Sequence, residues 1–333
     1  MEFSGSSRIA GVGAYLPNNR VTSRSLMEEV NSTRFGTPVT YIDRLAGIKE
    51  RRISDENMLP SDMAIRASEN ALEDAGVSPG DIDLVVYCGI DRDWQEPATA
   101  HRVQSIIGAE KATCFDLSNA CHGFMNGLSV ADAFIAKGGI DNALVCTGEK
   151  TSHVMYSFME RIKNTNSKAE FRKWLGSLTV GDAGGAMVVQ RSAAGDGLRW
   201  VGFQSQGEHA ELCWWRHKEE GGLEGEMVMD RISRTVVDLH RGMIDATYEK
   251  LDWSPGSADW LYCHQAGAGP HQELVKVAGM APDYAPITYD YYGNLASATI
   301  PVNIALNRPK RGDRLLIFGA GSGISVCQAG MVF

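Results

Sequence analysis

Three residues with complementary chemistry stand at separated points of the chain: Cys121, His264 and Asn294. A thiolate attacks carbonyl carbon, an imidazole moves or shares its proton, and a carboxamide donates a hydrogen bond to developing negative charge. Together they suit acyl transfer through a cysteine thioester. Each also has a plainer use alone. A buried free cysteine fills space, a histidine at a strand end is scaffold, and Tyr292-Gly-Asn294 makes a turn. The elements that carry these residues decide whether they meet.

Cys121 lies in Phe115-Asp-Leu-Ser-Asn-Ala-Cys121-His-Gly-Phe124, which reads as a strand end, a tight turn and a helix. Phe124, Leu128, Ala131 and Ile135 recur at helical spacing, and Lys137-Gly-Gly139 supplies a stop. This pattern predicts Cys121 in the first turn of a buried helix. There, free backbone N–H groups and the helix dipole favour the thiolate.

The other two residues follow from an internal repeat. Ser78-Pro-Gly-Asp-Ile-Asp83 leads into the apolar run Leu84-Val-Val-Tyr-Cys88, and Ser254-Pro-Gly-Ser-Ala-Asp259 leads into Trp260-Leu-Tyr-Cys-His264, 176 positions later. Phe115-Asp116 matches Tyr289-Asp290, and Leu144-Val-Cys-Thr-Gly148 matches Leu315-Leu-Ile-Phe-Gly319. Three matches in one order indicate duplication. Residues 1–190 and 191–333 are the expected halves, the first carrying Cys121 and the second His264 and Asn294. Residues 61 to 75 form an amphipathic helix before the first apolar run. Each half alternates helix and buried strand, so the fold class is α/β with mostly parallel sheets. Sites in such sheets lie beyond the carboxyl ends of strands. Two packed halves then bring Cys121, His264 and the Tyr292-Gly-Asn294 loop to one pocket.

Composition narrows the class. The chain has 333 residues, 44% hydrophobic and 22% charged, as in a globular protein with ample core. No apolar run approaches the roughly 18–20 residues that span a bilayer, and the first residues show no secretory pattern. Seven cysteines in irregular spacing indicate reduced thiols and a cytoplasmic setting. A net charge of −9 makes nucleic acid an unsuitable partner. Cys213-Trp-Trp215 near His217 lacks a second ligand pair, so no metal is expected. The Gly-rich tail opens no helix and is not a dinucleotide fingerprint. The order Cys, His, Asn is also that of papain-like proteases, but their local cysteine signature is absent and they lack this repeat.

Asn119-Ala-Cys121-His-Gly-Phe124, His264-Gln-Ala266, Tyr292-Gly-Asn294 and Phe318-Gly-Ala-Gly-Ser-Gly323 together resemble the ketoacyl synthase III family of the thiolase superfamily. Gly11-Val-Gly-Ala-Tyr-Leu-Pro17 and Gly47-Ile-Lys-Glu-Arg-Arg52 extend the resemblance over nearly the whole chain. It implies a thiolase-like, duplicated five-layer α/β/α/β/α fold and a homodimer without cofactor. It also implies that Cys121 takes an acyl group from an acyl-CoA or acyl carrier protein thioester. His264 and Asn294 then assist decarboxylation of a malonyl-type thioester and stabilise its enolate. The backbone N–H groups of Cys121 and Ser322 form the oxyanion hole, with Ser322 replacing a glycine.

Several positions depart from the family pattern. Arg44 is retained near the expected coenzyme A nucleotide, but Tyr41 replaces a stacking tryptophan, and Gly267 replaces an asparagine near the tunnel mouth. Trp94-Gln-Glu96-Pro97 lies where a phenylalanine closes the acyl pocket from the neighbouring subunit, and Glu96 is poor company for an alkyl chain. Asp230-Arg231 replaces Gly-Asn along the tunnel, unless the two form a surface ion pair. Residues 155–176 form a long flap bearing Arg161, Lys163, Lys168, Arg172 and Lys173. As single charges these are a solvated face; as a group they suit an acidic carrier protein. The departures point to specialised metabolism rather than bulk fatty acid synthesis. Two alternatives use the same fold: acyl transfer to an amine or hydroxyl without loss of carbon dioxide, and a non-catalytic subunit partnering an active homologue.

Overall fold

A computed structural model describes residues 2–3, 5–192, 196–219 and 221–333. Two five-stranded sheets form its frame. The first runs in the order Ser7–Tyr15, Ala183–Arg191, Asn142–Glu149, Leu84–Tyr87, Thr113–Asp116. The second runs Glu2–Phe3, Gly197–His209, Gly323–Val332, Arg314–Gly321, Trp260–Cys263. Helices Gly123–Ala136 and Thr299–Leu306 lie between them. Phe124, Leu128 and Ile135 share one core with Val86 and Val145 of the first sheet, and with Tyr262 and Ile317 of the second. Helices Pro60–Ala75 and Thr99–Ile107 cover the outer face of the first sheet, and Met229–Leu251 and Ala268–Val277 that of the second. The result is the five-layer α/β/α/β/α fold. Alternation along each strand builds it: Leu84 and Val86 face the central helices, whereas Val85 and Tyr87 face the outer ones.

The sheets are mixed, not mostly parallel. Leu84–Tyr87 is parallel to both neighbours, but Ala183–Arg191 is antiparallel to both of its own. In the second sheet only Trp260–Cys263 and Arg314–Gly321 run parallel. A continuous apolar run reports burial on two faces, not direction. Ala183 through Val189 are all buried in an antiparallel strand.

The repeat has a sharper register than the sequence matches suggest. Ala120 and Ala296, 176 positions apart, both adopt left-handed backbone angles with φ 49°. Each is followed three residues later by a central helix, at Gly123 and Thr299. The residue equivalent to Cys121 is therefore Ser297. Tyr289-Asp290, expected opposite the strand residues Phe115-Asp116, instead begins the short helix Tyr289–Tyr292.

Helix Pro60–Ala75 sits directly on the first sheet through Ala64, Ala67 and Ala71, all fully buried. Sheet glycines permit this approach. A Cβ at Gly13 would lie 2.0 Å from the Ala67 carbonyl oxygen, and one at Gly148 would lie 1.8 Å from that of Pro60. Gly148→Ala is expected to lower unfolding free energy by about 3 kcal/mol, at the upper end of overpacking costs. Urea unfolding checks this; a change below about 1 kcal/mol would contradict the packing account.

Residues 155–176 are not a solvated flap. They form helices Ser152–Asn164 and Lys168–Trp174, whose Met155, Phe158, Ile162, Phe171 and Trp174 pack on Leu26, Phe35 and Ile48. Three of the five cations are engaged within the chain. Arg161 donates to the Leu223 carbonyl at 3.0 Å and lies over Trp174. Lys163 pairs with Glu29 and Glu160, and Lys173 with Glu226. Lys168 and Arg172 remain exposed.

Candidate active site

Cys121 follows strand Thr113–Asp116 through a turn in which Ala120 takes the left-handed region, at a cost of about 1 kcal/mol for a residue with a Cβ. The helix begins at Gly123, so Cys121 lies two residues ahead of it rather than in its first turn. Burial pushes the thiol well above its ordinary value, and the neighbouring Cys213 and Glu149 push it the same way. Its own backbone N–H opposes them only weakly. The expected resting thiolate is thus overturned: desolvation outweighs the helix dipole, and the free protein holds a thiol at neutral pH. Alkylation of Cys121 by iodoacetamide is expected to accelerate continuously from pH 7 to 9. A rate already level below pH 7 would contradict this, because it would report a preformed thiolate.

His264 follows strand Trp260–Cys263, with its backbone N–H bonded to the Phe318 carbonyl at 2.8 Å. Burial holds its imidazole down at about 4, partly opposed by a hydrogen bond to the Ala296 backbone carbonyl. It is neutral at physiological pH. Its Nδ1 has no hydrogen-bond partner among the described residues. If the single N–H faces Ala296, a free lone pair remains to accept a proton.

Asn294 is fixed by its backbone and its side chain. Its N–H donates to the Thr179 carbonyl at 2.9 Å, and its carbonyl accepts from Gly181 at 3.0 Å. The preceding Gly293 has φ 72° and a Cβ there would meet the Thr179 oxygen at 2.5 Å, so the turn requires glycine. Asn294 Oδ1 accepts from Ala296 N–H at 3.0 Å, which leaves the amide NH2 group as a donor.

Cys121, His264, Asn294 and Ser322 line one cavity. Met227, Met229, Ile232, Val236 and Leu274 give it an apolar wall. Ser322 sits in the hairpin between Arg314–Gly321 and Gly323–Val332, and the unusual angle falls on Gly323, φ 125°. A serine is therefore accommodated at 322.

Within one protomer the expected substrate residues lie outside this cavity. Tyr41 and Arg44 are exposed on the short helix Tyr41–Ala46 and do not line the cavity. Gly267 has φ 141° and packs its α-carbon near Ala46, so glycine serves helix entry there. Asp230 pairs with Arg234 at 2.9 Å, not with Arg231, and both Asp230 and Arg231 are exposed. Helical spacing explains this: Met229, Ile232, Ser233 and Val236 face the cavity, which turns 230 and 231 away. Glu96 is exposed in the loop before Thr99–Ile107. Among the described residues, no three His, Cys, Asp or Glu side chains are grouped to hold a metal ion. Cys213 instead joins the cavity wall, on the hairpin Cys213–His217 with Leu223–Met227.

Family models for 3-oxoacyl-acyl-carrier-protein (ACP) synthase III match residues 115–207, and those for its C-terminal part match residues 248–332. A curated relative, the acyl-CoA:acyl-CoA alkyltransferase of Xanthomonas campestris pv. campestris, is 31% identical over 98% of this chain and 98% of its own. The chain belongs to the 3-oxoacyl-ACP synthase III family. Solved structures agree. Xanthomonas OleA with bound cerulenin superposes with TM-score 0.90 at 29% identity, covering 99% of this chain and 98% of that one. A Cys-to-Ser variant of OleA with lauric acid and lauroyl-CoA gives TM-score 0.90 at 28% identity, covering 99% and 100%. This member of the synthase III family is a condensing acyltransferase of the thiolase fold, acting on acyl thioesters through a cysteine-held acyl group. Among the described residues, no helix of the synthase is long and apolar enough to cross a membrane.

Sequence reasoning missed the apolar wall from 227 to 236, because its residues are spread over a hairpin and one helix face. The Met229, Ile232, Ser233, Val236 spacing was the available signal.

Proposed function

We propose that Cys121 accepts the acyl group of an acyl-CoA and that the acylated thiol is then attacked by the enolate of a malonyl-type thioester. Neutral His264 takes the Cys121 proton as the thiol attacks, and coenzyme A leaves as the thiol. Acylation exchanges one thioester for another, so it is close to isoenergetic. Loss of carbon dioxide from the extender then drives carbon–carbon bond formation. Asn294 donates to the enolate oxygen, and His264 joins it in the tautomer whose N–H faces the cavity rather than Ala296; the N–H groups of Cys121 and Ser322 receive the oxyanion of the tetrahedral intermediate.

The observation that carries this reading is the cavity lining: a thiol, an imidazole and a carboxamide, with no carboxyl group among the described residues that line it. Among the described residues of one protomer, no carboxylate lines the cavity to remove a proton from an ordinary α-carbon. Loss of carbon dioxide makes the enolate without such a base. A second reading is favoured by the relative's name, which joins two acyl-CoAs. An acyl-CoA acceptor needs a carboxylate base, and Glu96 reaching in from a partner copy would supply it.

Carboxyl-labelled malonyl thioester separates the two. Release of label in step with product supports the first reading. Condensation of two acyl-CoAs without malonyl thioester, abolished by Glu96→Gln, would replace it with the second. We read residues 1–190 as the half that supplies Cys121 and 191–333 as the half that supplies His264 and Asn294. The protein is read as a cytoplasmic homodimer without cofactor, in specialised metabolism. Tyr41 and Arg44 are read as the residues that would meet a coenzyme A nucleotide outside the cavity. Lys168 and Arg172 are the cations left to meet an acidic carrier protein.

A further inference from the structure

Glu149 ends the strand Asn142–Glu149 and is fully buried. All of its hydrogen-bond partners are neutral. It accepts from Ile90 N–H through both oxygens at 3.1 and 3.3 Å, and from Thr147 Oγ1 at 3.2 Å. It also accepts from the hydroxyl of Ser297, 148 residues away and itself buried. Thr147 Oγ1 and Ser297 Oγ are 2.5 Å apart, which closes the cluster.

Ser297 is the residue that the repeat sets opposite Cys121, and it directly follows Ala296. Ala296 touches both groups proposed to handle the enolate. Its N–H donates to Asn294 Oδ1, and its carbonyl is bonded by the His264 ring. It does so in a left-handed conformation that disfavours residues with a Cβ. Such a backbone state persists only when its surroundings over-determine it. The Ser297 hydroxyl, clasped by Glu149 and Thr147, is the restraint on the following residue.

We propose that Glu149, acting through Ser297, is a positioning residue: it locks Ala296 so that Asn294 and His264 face Cys121. The same carboxyl holds Ile90, at the start of the loop that carries Glu96, and so ties three active-site segments to one buried point. Burial first, and then the charge of Asp91, push Glu149 up to about 8. It is therefore mainly a neutral acid at pH 7, with the donor and acceptor of an amide. Glutamine is its isostere.

The inference rests on the roles proposed for Cys121, His264 and Asn294, and its test separates the two. Acyl adduct formation on the wild type, absent in Cys121→Ala, checks the underlying reading alone. Steady-state condensation is then measured for Glu149→Ala, Glu149→Gln, Ser297→Ala and Asn294→Ala, and for the Ser297→Ala, Asn294→Ala double variant, with melting temperatures for each. Glu149→Ala and Ser297→Ala are expected to lower kcat about 30-fold with KM changed less than threefold. Glu149→Gln is expected to restore kcat to within about fivefold of wild type. Ser297→Ala is expected to cost less than about fivefold when Asn294 is already alanine, because its effect passes partly through that side chain. Ser297→Ala keeps the test open if Glu149→Ala does not fold. Fully multiplicative losses, a glutamine variant as slow as the alanine one, or a rise in KM with kcat unchanged would each overturn the proposal.

Discussion

Cys121→Ala is expected to remove condensation entirely, to below one part in about ten thousand of wild-type turnover. Alanine offers no nucleophile, and the cavity brings no other group into the same place. Cys213 is the only other thiol in the lining, and it sits on a hairpin outside the Asn119–Gly123 turn. Knockouts of a nucleophile in other covalent enzymes fall by about six orders of magnitude, to a residue left by binding and oxyanion stabilisation. Because Cys121 is held as a thiol, its loss also removes the proton that His264 must accept. Turnover within tenfold of wild type in Cys121→Ala would mean that another residue carries the acyl group.

The second large effect divides the other two residues. Asn294→Ala is expected to slow condensation by about two to three orders of magnitude while leaving acylation of Cys121 within about threefold. Asn294 offers only its amide N–H bonds, with Oδ1 already committed to Ala296. Its work lies with the enolate. His264→Ala is expected to slow both steps. Its ring is neutral because burial holds it at about 4, so it can take the thiol proton during acylation, pass it to the departing coenzyme A, and then donate to the enolate oxygen in the tautomer whose N–H faces the cavity. The sign of the pH effect follows. Acylation should be lost as pH falls through about 4, where the imidazole protonates. Single-turnover measurements with quenched samples resolve the two steps. Equal losses of acylation in both variants would contradict this division of labour.

How much of this was legible in the sequence depended on the range of the interaction. Cys121, His264 and Asn294 sit at strand ends and tight turns, where short motifs fix local geometry, and the repeat gave their order. The layered fold followed from the same motifs. Strand direction did not, because Ala183–Val189 is as apolar in an antiparallel strand as Leu84–Tyr87 is in a parallel one. The protonation of Cys121 was misread because helix position is a local feature, whereas burial and the charges of Cys213 and Glu149 come from residues distant in the chain. Asp230 was placed at the tunnel from motif position alone; helical phase turns it to Arg234 and solvent. The Glu149–Ser297 contact joins residues 148 positions apart. Its one trace in the sequence was the offset of 176 between Ala120-Cys121 and Ala296-Ser297.

The central claim is that one thiol holds the acyl group and releases it only to a carbon nucleophile prepared beside it. Protein acylated with an acyl-CoA, freed of excess substrate and then mixed with malonyl thioester tests it in a single turnover. The adduct should map to Cys121 alone and disappear at the rate at which condensed product forms. Product that appears while the Cys121 adduct persists, or an adduct carried on any other residue, would contradict it.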